Sequence, residues 1–225
     1  MRAMILAAGF GKRLRPLTGR LPKALVEVGG KPLIEHHIEK LAAAGIRELV
    51  INVSWLGEQL ERRLGEGGRL GVDIRWSREP EPLETGGGIR QALALLGSRP
   101  FVLVSADVWS DYDYGCLPRT LKDGADAHLL LVPNPPHHPG GDYRLTADGR
   151  VRGAETGEPS LTFSGIAVVA PALVQEFPAG APFPLRDALA SALARDAVRG
   201  EVHDGRWSDV GTPERLADLR ATLDT

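Results

Sequence analysis

The residues easiest to read as chemistry stand near the start of the chain: Gly9, Gly11, Lys12, Arg13, Arg15 and, behind Pro22, Lys23. Glycines two apart let backbone N–H groups approach an anion, and the cations that follow neutralise it. This is how α/β proteins hold phosphates, although a tight turn leading into a solvated basic loop would use the same residues. Two familiar phosphate motifs are excluded. A dinucleotide fingerprint needs a third glycine where Leu14 stands, and no Gly-Lys-Ser/Thr closes a P-loop. Two carboxylates draw attention further on. Asp107 follows the apolar run Phe101-Val-Leu-Val-Ser105, and Asp209 precedes a helical pattern. Open α/β sheets bind ligands beyond the carboxyl ends of their strands, where both could lie. Each also has a plain structural reading: Asp107 caps the turn at Val108-Trp109, and Asp209 merely leads into a helix. No Ser/His/Asp or Cys/His arrangement occurs, and His36 and His37 sit within a helix pattern as packing or surface residues.

The elements that must position these groups alternate over the first hundred residues. Met4-Ile-Leu-Ala-Ala8 reads as a short buried strand that ends at Gly9. Lys31-Pro32 opens a helical pattern with Leu33, Ile34, Ile38 and Leu41 on one face, stopped by Gly45. Leu49–Val53 and Val72–Trp76 read as strands, with a short helix on Leu56, Leu60 and Leu64 between them. Thr85 is a good cap for a helix faced by Ile89, Ala92, Leu93 and Leu96. Strands alternating with helices predict an α/β fold of Rossmann-like type: a doubly wound, mixed but mostly parallel sheet with helices on both faces.

The second half is less regular. Ala127–Val132 reads as a strand, and the stretch from Pro133 to Gly141 is dense in breakers, either a disordered insertion or a binding lid. Tyr143–Leu145 and Arg150–Arg152 flank an Asp148-Gly149 turn and suggest a hairpin. Leu161–Ala170 is a strand whose Gly165 would admit a ligand against backbone. A helical stripe follows at Leu185, Ala188, Leu189 and Ala192. Thr212 and Pro213 open a last helix with Leu216, Leu219 and Leu223 inward. With no repeat and no linker, residues 1–225 read as a single domain, about 1–110 forming one half and about 111–225 the other.

Bulk properties narrow the function. A net charge of −2, with 43% hydrophobic and 25% charged residues, gives no excess positive field to recruit nucleic acid or an anionic membrane. The single cysteine, Cys116, excludes an intrachain disulfide or a cysteine zinc cluster and reads as a buried thiol. The opening apolar run is too short for a signal peptide, and no stretch approaches eighteen apolar residues, so a cytoplasmic location is expected.

The stretch Ala7-Ala8-Gly9-Phe10-Gly11-Lys12-Arg13-Leu14-Arg15-Pro16-Leu17-Thr18, followed by Pro22-Lys23-Ala24-Leu25, resembles the double signature A-A-G-x-G-x-R-L-x-P-L-T and P-K-x-L of the sugar-1-phosphate nucleotidyltransferases. Ala24 stands where that family more often has proline. The family also ends a hydrophobic strand with an aspartate, usually as Gly-Asp, and carries Trp-x-Asp-x-Gly-Thr-Pro/Leu. Here these are Ser105-Ala106-Asp107 and Trp207-Ser-Asp209-Val-Gly-Thr-Pro213. The resemblance runs from Met1 to about Leu223 and is weakest between Ala147 and Leu161.

The resemblance implies a set of roles. Asp107 and Asp209 would bind a catalytic Mg²⁺, because triphosphate chemistry needs a cation held by one or two carboxylates, phosphate oxygens and water. Leu6, Ala8, Gly9, Gly11 and Lys12 would cradle the nucleotide, with Arg13 on the departing phosphates and Lys23 beside the α-phosphate as catalytic cations. The stretch Arg78–Gly88 would read the base: amides of Gly86 and Gly87 beside Thr85 meet a carbonyl, and Glu79, where the family has glutamine, accepts an N–H. The same stretch is also a glycine-rich helix start, and one segment can do both. By position, Asp142, Thr162, Ser164 and Gly165 would meet the sugar phosphate. Further stretches, such as Glu81–Ile89, Asn134–His138 and Thr162–Ile166, are similar to family members that transfer uridylyl groups to an amino sugar. That implies UTP and a sugar 1-phosphate as small-molecule partners, in a monomer or small homo-oligomer. A mannose-, glucose- or heptose-1-phosphate enzyme using another nucleotide, and a catalytically silent sugar-nucleotide sensor, remain alternatives.

Overall fold

The computed structural model describes residues 1–155 and 157–223. In chain order its strands and helices are β1 (Ala3–Leu6), β2 (Glu27–Val28), β3 (Lys31–Pro32), α1 (Leu33–Ala43), β4 (Glu48–Val53), α2 (Gly57–Leu64), β5 (Asp73–Arg78) and α3 (Glu84–Leu96). There follow β6 (Phe101–Ser105), β7 (Val108–Ser110), β8 (Ala127–Val132), β9 (Tyr143–Leu145), β10 (Val151–Gly153) and β11 (Thr162–Val169). The chain ends with α4 (Ala172–Gln175), α5 (Leu185–Ala194), β12 (Val198–Val202), β13 (Trp207–Asp209) and α6 (Pro213–Leu223).

A seven-stranded sheet in the order β12-β8-β11-β6-β1-β4-β5 forms the centre. Strands β5, β4, β1 and β6 are parallel, and so are β12 and β8; β11 runs antiparallel to both β6 and β8. The sheet is therefore mixed and mostly parallel, as the alternation of elements predicts. Its inner strands are largely apolar on both faces, as a doubly covered sheet requires, whereas the edge strands β5 and β12 carry charge. Ala3, Ile5, Leu49, Ile51, Val102 and Val104 face α1 and α2; Met4, Val50, Phe101 and Leu103 face α3, α4 and α5. Each fully buried Val, Leu, Ile, Met or Phe side chain among these stabilises the fold by about 1.5–3 kcal/mol.

The chain runs outward from β1 through β4 to β5, then returns past β1 to β6. That reversal leaves a crevice at the carboxyl ends of β1 and β6, where Leu6 stands in register with Ser105. Just beyond it, β7 and β13 form a two-stranded antiparallel ribbon with Asp209 opposite Val108, and the Val210 N–H donates to the Asp107 carbonyl over 2.8 Å. A third core of Leu14, Val26, Val28, Leu33, Trp109, Val210, Leu216 and Leu219 ties the opening loop, the ribbon and α6 together.

Several local expectations are corrected. Lys31-Pro32 pairs as a strand with Glu27-Val28, so α1 begins at Leu33 rather than at Lys31. Thr85 is not a cap: α3 starts at Glu84, and the Thr85 hydroxyl accepts the Leu185 N–H across the molecule. Val108-Trp109 is strand rather than a turn capped by Asp107. Cys116 is exposed, because it ends a single helical turn whose inward residue is Tyr114. The stretch from 133 to 141 is an ordered loop, fixed by Asn134, whose amide donates to the Pro139 carbonyl and whose Oδ1 accepts from Thr162.

Candidate active site

Two cavities meet at the crevice. The first, about 180 Å³, is lined by Leu6, Ala7, Ala8, Gly9, Lys23, Asn52, Glu79, Thr85, Ser105 and Asp107. Its floor is a chain of hydrogen bonds. The Ala7 N–H donates to Asn52 Oδ1 (2.8 Å), Asn52 Nδ2 donates to Glu79 Oε1 (2.7 Å), and Glu79 Oε2 accepts the Leu83 N–H (2.9 Å). Asn52 and Glu79 are both buried. The glycine turn above this floor is closed by the Thr18 hydroxyl, which donates to the Gly11 carbonyl over 2.7 Å. Gly11 has φ of +60°, and a Cβ there would lie 2.9 Å from Thr18 Cγ2, so the turn requires glycine. Lys12 is exposed, with its ammonium 5.3 Å from the centre of the Phe10 ring; neither Lys12 nor Gly11 lines either of these two cavities.

The base-reading expectation needs correction in two places. The amides of Gly86 and Gly87 both donate to the Phe183 carbonyl and do not face the cavity. A Cβ on Gly86 would lie 2.3 Å from the Phe183 ring, so these glycines serve the close approach of the 181–183 segment. Glu79 does line the cavity, but both of its oxygens already accept protein N–H groups.

At the junction, Lys23 Nζ donates to Asp107 Oδ2 over 2.5 Å. The lysine side chain is 13% exposed, so this charge-assisted bond is shielded from water. Asp107 lines both cavities. The second cavity, about 550 Å³, also holds Arg13, His137, His138, Asp142, Thr162, Ser164, Gly165, Asp209 and Arg215. Gly165 sits in the irregular stretch of β11 between Phe163 and Ala167, where pairing with β8 shifts register. Thr162 donates to Asn134 Oδ1, and the Ser164 hydroxyl accepts the Ile166 N–H. Asp142 accepts the Phe163 N–H and faces His138 at 3.0 Å. Asp209 is paired with Arg215 Nη1 at 2.8 Å and His137 Nε2 at 2.9 Å. Arg215 Nε is buried without a partner among the described residues. A strand-end crevice that joins two pockets through a lysine–aspartate pair suits two phosphate-bearing ligands meeting end to end.

A family model described as nucleotidyl transferase matches residues 2–150. The chain belongs to that family. As a nucleotidyltransferase it is 47% identical, over 98% of its length and 97% of the relative's, to N-acetylmuramate alpha-1-phosphate uridylyltransferase of Neisseria meningitidis serogroup B. It is also 41% identical over 59% of its length, and 37% of the relative's, to a mannose-1-phosphate guanyltransferase of Hypocrea jecorina. Among solved structures, HddC of Yersinia pseudotuberculosis complexed with GMP-PN superposes with a TM-score of 0.81 at 22% identity, covering 99% of each chain, which shows the same fold.

For this nucleotidyltransferase the donor set at the junction fits a hard divalent cation. Asp107 precedes β7 and Asp209 ends β13, so the ribbon brings two carboxylates to one cavity, each now balanced by a cationic side chain. Among the described residues no group of three or more His, Cys, Asp or Glu is placed to hold a metal alone. A cation on these two carboxylates would therefore be completed by phosphate oxygens and water. The contribution of Asn52 was missed from the sequence, although a polar residue in the apolar run Leu49–Val53 is the signal that would have found it. Arg215, inside the last helix, gave no signal.

Proposed function

We propose that this nucleotidyltransferase moves a uridylyl group from UTP to N-acetylmuramate α-1-phosphate, giving UDP-N-acetylmuramate and pyrophosphate, with Mg²⁺ on Asp107 and Asp209. One observation carries the chemistry: Asp107, bonded to Lys23, lines both cavities, so donor and acceptor would meet where a cation and a lysine can act on the same phosphorus. The long match to the uridylyltransferase supports the choice of base and sugar. This reading places the protein in the cytoplasmic recycling of cell-wall amino sugars.

The first cavity would take the nucleoside over the Asn52–Glu79 floor, and the second would take the sugar. A phosphate oxygen of the sugar attacks the α-phosphorus, the α–β bridging P–O bond breaks, and pyrophosphate leaves with its electrons. The attacking oxygen is already ionised near pH 7, so no general base is required. The amides around Gly9, with Lys12 and Arg13 at the rim, would hold the β- and γ-phosphates. Lys23 would sit between the α-phosphate and the incoming phosphate, reducing their repulsion and stabilising charge as it develops. Bound Mg²⁺ would supply further neutralisation of the triphosphate. Catalysis then rests on alignment and charge, as in phosphoryl transfers generally.

Pyrophosphate release measured across UTP, GTP and dTTP, each with N-acetylmuramate, mannose and glucose 1-phosphates, tests the reading. UTP with N-acetylmuramate 1-phosphate is expected to be the fastest pair. Preference for GTP with mannose 1-phosphate, the pair favoured by the shorter guanyltransferase match, would replace it. Binding of a UDP-sugar without turnover of any pair would indicate a sensor.

A further inference from the structure

The ribbon that carries both carboxylates is held from an unexpected side. Strand β7 pairs with β13 along one edge only, and the Asp107 carbonyl points that way, accepting the Val210 N–H. The carbonyls of Val108 and Ser110 point to the other edge, which an unprotected edge strand would leave bare. Helix α1 covers that edge with side chains. His37 donates from Nε2 to the Val108 carbonyl over 2.8 Å. Lys40, three residues on and so on the same helix face, donates to the Ser110 carbonyl and, at 3.3 Å, to that of Tyr112.

The tautomer of His37 follows from its partners. A carbonyl can only accept, so Nε2 carries the proton and Nδ1 accepts from the Tyr114 hydroxyl at 2.7 Å. His37 is 2% exposed and Tyr114 1%. Burial pushes the imidazole down to about 4, which keeps it neutral near pH 7. A buried polar ring is costly unless its bonds are made, and here both are. A residue needed only to fill space would be apolar.

We propose that His37 is a positioning residue for the cation-binding carboxylates: with Lys40 it fixes the free edge of β7, and so holds Asp107 and, across the ribbon, Asp209 in register. This rests on the assignment of those two aspartates to the cation.

Three variants test it, each by two measurements. His37→Phe keeps the ring and loses both bonds, Tyr114→Phe removes one hydroxyl, and His37→Gln keeps an N–H able to reach the Val108 carbonyl. In the substrate-free protein, amide exchange at Val210 is compared with exchange at Ala106, which bonds to the Leu6 carbonyl outside the ribbon. His37→Phe is expected to speed Val210 at least tenfold more than Ala106, with Tyr114→Phe showing a smaller contrast of the same sign. Binding of Mn²⁺ in the presence of UTP, followed by electron paramagnetic resonance, is expected to weaken about tenfold in His37→Phe and to recover within about threefold in His37→Gln. Uniform acceleration of both amides, or unchanged Mn²⁺ affinity, would make His37 an ordinary core residue and overturn the proposal. Absence of Mn²⁺ binding in the unmodified protein would instead overturn the metal assignment, while the exchange contrast still decides whether α1 holds the ribbon.

Discussion

The two cavities are built on opposite principles. In the first, the polar groups of the floor bond to one another and to backbone: Ala7 to Asn52, Asn52 to Glu79, Glu79 to Leu83. A ligand would settle on that floor without taking it apart. In the second, charged groups of the lining pair with one another: His137 and Arg215 with Asp209, His138 with Asp142. If a sugar phosphate binds there, as proposed, it would have to exchange those partners for its own oxygens. On the proposed assignment, the nucleotide side would be a fixed frame on parallel strands, and the sugar side an adaptable wall of loop, bulge and helix ends. Such a division lets one frame serve many sugars, since loops vary at little cost to the scaffold.

The largest effects should come from the junction that both cavities share. Asp107→Asn, Asp209→Asn and Lys23→Ala are each expected to lower kcat by at least about 10²-fold, the scale of removing one preorganised charge-stabilising group. Melting temperature should move by only a few degrees, because the side chains of Asp107 and Asp209 are 44% and 24% exposed and sit outside the core. Pyrophosphate release and thermal melts on the same preparations check this. Parallel loss of activity and fold would make the junction part of the scaffold, and the contrast between the cavities would lose its pivot.

Glu79→Gln tests the fixed frame and should act on stability more than on rate. Both partners of Glu79 are donors, because Asn52 spends its oxygen on the Ala7 N–H. Residue 79 must therefore offer two acceptors, and glutamine offers one, setting an amide N–H₂ against a donor. Such a buried mismatch costs about 1–3 kcal/mol. For a chain of this size that is roughly 2–12 °C in melting temperature. An unchanged melt would show that the floor rearranges freely and is no more fixed than the opposite wall.

The same contrast decides what the sequence discloses. The opening part of the frame is local: a strand, a glycine turn and Pro22-Lys23 lie within two dozen residues, and their types state the chemistry directly. The inner parallel strands β1, β4 and β6 are legible because each is a short apolar run largely buried on both faces. The ribbon is not, since Val108-Trp109-Ser110 and Trp207-Ser208-Asp209 are three residues each and too short for any periodicity to show. Strand β12, Val-Arg-Gly-Glu-Val, escapes for another reason: it lies at the sheet edge, where charge is tolerated and the apolar signature is diluted. Glu79 could be located by spacing but not by role. Its partner Asn52 is 27 residues away, and only the fold shows that its carboxylate is already engaged. His37 reads as a helix residue for the same reason, because Tyr114 and Val108 are more than seventy residues distant.

The smallest effect should come from the adaptable wall. The His137 side chain is 40% exposed and touches Asp209 from a loop, so the pair contributes about 0–1 kcal/mol to stability. His137→Ala is expected to lower the melting temperature by no more than about 4 °C on that basis. Its cost should fall on the incoming sugar phosphate alone, as a rise in KM of about two- to fivefold, equivalent to the loss of one weak polar contact. The half-saturation for UTP should not change, because His137 lines the second cavity and not the first. Steady-state kinetics with each substrate varied in turn separates the outcomes. A matching rise in the UTP half-saturation would mean that the two cavities tighten together, and that the wall is coupled to the frame through Asp209 rather than adapting independently of it.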